Sequence, residues 1–208
     1  MGTKCVCNDD GSVLVRGNGI SESLAVIEPS LLYVVKNIQA LPYPLRERIL
    51  ILEDEYAAND FGLTIAMALL EAMHAAPACG IQVHLVGDLG AGKTTLVRAM
   101  LRALGYTQHV RSPTYTLVES YTIGNIKSVP LLIYHFDLYR FEDASEWEDA
   151  GFREYFEAQA LCLVEWPERA GSILGIPDLH IVLEIQGKGR KLTARAYSKI
   201  GKACLSQC

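Results

Sequence analysis

Residues 87–95 read Gly-Asp-Leu-Gly-Ala-Gly-Lys-Thr-Thr, with Gly87, Gly92, Lys93 and Thr94 at the fixed positions of a phosphate-binding loop. This run constrains the fold because the pattern works in one setting, the turn from a buried strand into the first turn of a helix. Both flanks are there. The apolar run Ile81 to Val86 precedes the loop, and the helix-like stretch Leu96 to Leu104 follows it. Glycines let the backbone turn tightly and aim successive N–H groups into one concavity, where the positive end of the following helix adds to the pull on an anion. Lys93 is then placed to reach the outer phosphates, the Thr94 hydroxyl to ligate Mg²⁺, and Thr95 to touch the α-phosphate.

A loop of this kind needs acids at the carboxyl ends of neighbouring strands, because ligands of such sheets sit in the crevice outside those ends. Two apolar runs supply them: Leu131 to Phe136 ends at Asp137, and Leu161 to Val164 ends at Glu165, followed by Trp166-Pro167. One acid is expected to hold Mg²⁺, directly or through water, and the other to orient or deprotonate an attacking water. The polar stretch Arg111 to Thr116, ahead of a strand from Leu117 to Thr122, is either a plain connector or a loop whose hydroxyls approach the γ-phosphate.

The remaining pattern fits an α/β chain with the P-loop NTPase fold: a mixed, mostly parallel sheet flanked by helices, with some antiparallel strands. Ala58, Phe61, Ile65, Leu69 and Met73 recur at three- and four-residue spacing in a helix expected from Asp54 to Ala76. A turn near Gly124-Asn125 predicts an antiparallel hairpin into Leu131 to Phe136. Two last β-type runs, Leu179 to Ile185 and Lys191 to Tyr197, are joined by Gly187-Lys188-Gly189-Arg190, which is an ordinary glycine hairpin or a basic contact to the nucleotide. Ser145 to Phe156 alternates acids with aromatic residues, as an amphipathic surface helix or a partner-docking face would. Residues 1–48, which include the apolar stretch Leu31 to Val35, carry no catalytic pattern. They read as an amino-terminal extension, whether arm, small added element or sequence upstream of the natural start, before a domain at 49–200 and a tail at 201–208.

Charge and length exclude other classes. A formal charge of −5 over 208 residues gives no general pull toward nucleic acid, so contact with RNA is expected only through a partner. No apolar run reaches the roughly 20 residues that span a bilayer, and Asp9, Asp10 and Arg16 break any signal-peptide layout, so a cytoplasmic location without membrane contact is expected. The six cysteines form no Cys-x-x-Cys pair and read as reduced thiols, with Cys162 buried in a strand.

Four ordered segments together carry a resemblance: residues 87–95, Ser-Pro-Thr-Tyr-Thr-Leu-Val at 112–118, His-Phe-Asp-Leu-Tyr-Arg at 135–140 and Leu-Val-Glu-Trp-Pro-Glu at 163–168. Over Leu52 to Tyr197 the chain resembles the bacterial TsaE (YjeE) family, small ATPases that act with the TsaB and TsaD proteins in forming threonylcarbamoyladenosine at position 37 of tRNA. The resemblance implies ATP and Mg²⁺ as cofactors, a phosphate cradle of Asp88, Leu89, Gly90, Ala91, Gly92, Lys93, Thr94 and Thr95, and Thr94 and Glu165 as metal ligands. It assigns Asp137 to water activation or outer-shell metal contact. It puts Thr114 and Thr116 in a nucleotide-responsive loop, and places Glu55, Gly189 and Arg190 near the nucleotide. The chain departs from the family pattern in its long amino-terminal segment, in extra residues at His74 to Cys79 and in a longer hairpin at Gly124 to Pro130. A small-molecule kinase and a nucleotide-gated adaptor without obligatory hydrolysis are the alternative readings of the same loop. No Asn-Lys-x-Asp guanine-reading element is present.

Overall fold

The helix expected at Asp54 begins where its cap does: Asp54 is extended and its carboxylate accepts a hydrogen bond from the Ala57 amide at 2.8 Å. That satisfies one of the donors a helix start leaves unpaired. The computed structural model describes residues 4–7, 13–16, 41–76, 80–113, 115–126, 129–141, 147 and 151–208. Its strands are β1 (Lys4–Cys7), β2 (Val13–Arg16), β3 (Arg46–Leu52), β4 (Ile81–Val86), β5 (Val118–Ile126), β6 (Val129–Asp137), β7 (Ala160–Glu165), β8 (Leu179–Gln186) and β9 (Gly189–Ala196). The helices are α1 (Glu55–Ala75), α2 (Lys93–Ala103), α3 (Arg153–Glu157) and α4 (Lys199–Cys204). Leu31 to Val35, Thr114, Pro77 to Cys79 and the acidic residues between Ser145 and Ala150 lie outside the described residues.

β1 and β2 pair antiparallel, from Lys4 opposite Arg16 to Cys7 opposite Val13, and belong to a unit at Met1–Gln39. The other elements form the unit Ala40–Cys208. Its seven strands run in the order β3-β9-β8-β4-β7-β6-β5. β8, β4, β7 and β6 are mutually parallel, while β9 and β3 on one flank and β5 on the other are antiparallel to their neighbours. This is the mixed, P-loop-type sheet that the pattern predicts.

Strand alternation divides the core between the two faces of the sheet. Leu161 and Leu163 of β7 join Val83, Leu85, Ile133 and Ile181 under α1 and α2, where α1 also packs on α4. Cys162 and Val164 point the other way, into an aromatic cluster of Phe136, Phe141, Trp147 and Phe152. Cys162 is buried in β7, as expected, and burial pushes its thiol up to about 12. β3 crosses the expected boundary at residue 48, because its pairing with β9 starts at Arg46 opposite Ala196. Cys204 and Leu205, placed by the sequence in a tail, are buried beside α1. Among the described residues no helix is long and apolar enough to cross a membrane.

Candidate nucleotide site

The loop after β4 is built by its glycines and by what holds its carbonyls. Gly92 caps α2 in the left-handed region, at φ 105°, and a Cβ there would stand in open space above the loop. A side chain at that position would strain the turn and fill the concavity. Lys93, 4% exposed, folds back so that Nζ donates to the carbonyl oxygens of Gly87 and, at 2.9 Å, Asp88. Its ammonium also lies 3.7 Å from the centre of the Trp166 ring. Burial pushes the Lys93 pKa below the ordinary lysine value, and the charges of Glu165, Glu168, Asp137 and Asp88 pull it back up.

The acids meet at the carboxyl ends of adjacent parallel strands, where Asp137 of β6 is the register partner of Glu165 of β7. Glu165, buried, accepts a hydrogen bond from the Thr94 hydroxyl at 3.0 Å. Its other oxygen faces Nε2 of His135 at 2.8 Å. Asp137, also buried, takes the Ser112 hydroxyl at 3.3 Å and the Tyr139 amide at 3.2 Å. Leu89, Gly90, Gly92, Lys93, Thr94, Thr95, Ser112, Asp137, Tyr139, Glu165 and Trp166 thus line one cleft of about 310 Å³. Most of the expected cradle, Thr94 and both acids share this space.

Arg190, Gly189 and Glu55 are not among those lining residues, and neither are Asp88 and Ala91 of the expected cradle. Arg190 grips the loop from behind: Nε donates to the Ala91 carbonyl at 2.8 Å and Nη2 to that of Gly90 at 3.1 Å. The C=O and N–H of a trans peptide point opposite ways, so fixing the Ala91 carbonyl on Arg190 aims the Gly92 N–H away from it. Gly189 is wedged beneath the end of β3, where a Cβ would run into the Leu52 carbonyl. Glu55 is exposed in the first turn of α1, three residues past Leu52, the register partner of Arg190. Thr114 lies outside the described residues. Its neighbour Thr116 donates to Glu119 at 3.1 Å, and that loop is tied to the site through the Asp137 amide, which donates to the Leu117 carbonyl at 3.1 Å.

His135, Tyr139 and Trp166 are site residues that the sequence did not single out. His135 stands two residues before Asp137, on the same face of β6, and that period-two spacing was the available signal. Trp166 adopts φ 58° ahead of Pro167. A left-handed backbone is uncommon for a bulky residue and costs on the order of 1–3 kcal/mol; in this conformation the ring lies against Lys93 and, at 5.0 Å, Tyr139.

The donor set suits a hard cation more than a transition metal. Among the described residues no three His, Cys, Asp or Glu side chains gather as a ready metal cluster. What converges is a hydroxyl and two carboxylates beside a loop for phosphate oxygens, the oxygen-only environment Mg²⁺ takes.

Similarity to known proteins agrees with the geometry. The sequence model of the family described as "Threonylcarbamoyl adenosine biosynthesis protein TsaE" matches residues 52–196. The tRNA threonylcarbamoyladenosine biosynthesis protein TsaE of Haemophilus influenzae is 42% identical over 153 residues, covering 74% of this chain and 92% of that protein. Its Bacillus subtilis counterpart is 44% identical over 124 residues, covering 60% of this chain and 73% of its own. The crystal structure of Bacillus subtilis YdiB matches with a TM-score of 0.57 at 26% identity, over 77% of this chain and 93% of that one.

Proposed function

The chain belongs to the TsaE family, and from that premise we propose that it is a Mg²⁺-dependent ATPase serving tRNA threonylcarbamoyladenosine biosynthesis through a TsaB–TsaD partner complex. The observation that carries this reading is the 3.0 Å hydrogen bond from Thr94 to Glu165, which joins the phosphate loop to an acid 71 residues further on. Because Thr94 donates its proton to Glu165, its oxygen lone pairs are left to face a cation.

In this reading the cleft holds ATP with its phosphates on the amides of residues 88–95. Mg²⁺ supplies charge neutralisation at the phosphate oxygens. Thr94 and Glu165 would hold it, Glu165 directly or through water. Lys93 exchanges two backbone carbonyls for phosphate oxygens, so its ammonium stays solvated in both states. Asp137, not committed to Thr94, orients the water that attacks the γ-phosphorus as the bond to the β–γ bridging oxygen breaks, giving ADP and phosphate. Thr114 and Thr116 belong to the loop that senses the γ-phosphate, and Glu55 and Gly189 flank the nucleotide at the β3 edge. Transfer of the threonylcarbamoyl group falls to the partners, and tRNA meets this chain through them.

Phosphate release by the purified chain, alone and with TsaB and TsaD, tests the proposal. Turnover should rise with the partners and vanish in Asp137→Asn while that variant still binds nucleotide. Undiminished turnover in Asp137→Asn would remove the role given to that acid.

A further inference from the structure

Glu165 is held at both carboxylate oxygens. Thr94 occupies Oε2 at 3.0 Å, and His135 Nε2 stands 2.8 Å from Oε1, with the His135 and Glu165 side chains 0% and 2% exposed. A carboxylate accepts and does not donate, so the contact requires the proton on Nε2. Nδ1 of His135 is then buried with no hydrogen-bond partner among the described residues. Burying an unpaired polar nitrogen is costly, and an apolar side chain would avoid that cost. The histidine is explained by what its other nitrogen does.

Resting on the nucleotide reading above, we propose that His135 is a positioning residue whose Nε2–H fixes the rotation of the Glu165 carboxyl, so that Oε2 faces Thr94 and the cation. A carboxylate free to rotate would divide its time between Thr94 and other donors. Groups that orient a metal-binding side chain in this way typically contribute 10- to 100-fold to metal affinity. The same contact runs diagonally across β6 and β7, from His135, two positions before Asp137, to Glu165, the register partner of Asp137.

The test reads metal dependence apart from turnover. A non-hydrolysable ATP analogue is titrated into the full chain at a series of Mg²⁺ concentrations, and Mn²⁺ binding to the same complex is followed by electron paramagnetic resonance. His135→Leu should keep the metal-free nucleotide affinity within about twofold while the Mg²⁺ concentration for half-effect rises by about 10- to 100-fold. His135→Gln, whose amide nitrogen reaches the position of Nε2, should restore most of it. Equal Mg²⁺ dependence in the wild type and His135→Leu, or a His135→Gln as impaired as His135→Leu, overturns the proposal. Nitrogen NMR of the wild-type histidines needs no variant: protonation at Nε2 of His135 is expected, and an Nδ1-protonated ring would overturn it. If the wild type binds nucleotide with no Mg²⁺ dependence at all, the reading of the cation site fails, which is a different result from failure of His135 alone.

Discussion

At the scale of single residues, burial acts on Lys93 in the cleft and on two histidines of the sheet, His84, which is buried, and His180, which is half-buried. Lys93 lines the cleft, and in the proposed reading it supplies charge-assisted hydrogen bonds worth about 1.5–3 kcal/mol to phosphate. Lys93→Ala should weaken nucleotide binding by about 10- to 150-fold while the thermal midpoint changes little, both readable in one calorimetric and one thermal series. His84 and His180 are register partners on β4 and β8. Burial, with the His180 charge beside it, brings the His84 pKa down to about 3; burial and the Arg195 charge bring His180 down to about 4. Folded protein keeps both rings neutral while the unfolded chain takes up protons near pH 6.5, so the unfolded state binds more protons below that value. Stability should be intact above pH 6.5 and fall on acidification, by about 1.4 kcal/mol per pH unit for each ring, down to about pH 4 for His180 and about pH 3 for His84. Urea unfolding at pH 7 and pH 5 measures this, and His84→Leu should remove about half of the difference; an unchanged difference would point to other groups. Lys93, Thr94, Asp137 and Glu165 were legible in the sequence because strand ends and the loop motif mark them. His135 and Trp166 were not, since their roles depend on which side chain faces which across β6, β7 and the loop.

At the scale of elements, the nucleotide loop depends on a hairpin about a hundred residues away in sequence. Arg190, at the start of β9, spends its donors on the Gly90 and Ala91 carbonyls, so it shapes the cradle from outside. Arg190→Ala should lower nucleotide affinity by at least about tenfold, the equivalent of one charge-assisted bond of about 1.5 kcal/mol, and speed hydrogen exchange at residues 87–95. Arg190→Lys should recover little, because an ammonium lacks the fork that spans two carbonyls. Slow exchange and full affinity in both variants would show that the loop holds its shape unaided. The basic turn was visible in the sequence, but whether it met backbone or ligand was not, because a guanidinium satisfies either. α1 was legible from its three- and four-residue spacing, and the structure adds its Asp54 cap; Asp54→Ala should cost about 1 kcal/mol in urea unfolding. β3 was hidden because Arg46, Glu47 and Arg48 interrupt its apolar pattern, and its pairing with β9 is a long-range fact. α4 is a short helix whose burial comes from packing on α1, which no local periodicity announces.

At the scale of the whole molecule, four parallel strands bring the loop, Asp137 and Glu165 to one end of the sheet, and the antiparallel flanks brace that end through β9 and β5. The acidic net charge of −5 gives the chain no general electrostatic pull toward RNA. The account depends on that end of the sheet taking a magnesium-bound triphosphate. The most direct measurement is calorimetric titration of a non-hydrolysable ATP analogue with Mg²⁺ into the purified chain, beside Lys93→Ala and Thr94→Val. The account predicts saturable one-to-one binding by the wild type, much weaker binding by Lys93→Ala, and in Thr94→Val binding that no longer responds to Mg²⁺. Folded wild-type protein that takes up no nucleotide, or three proteins with the same affinity, would contradict it.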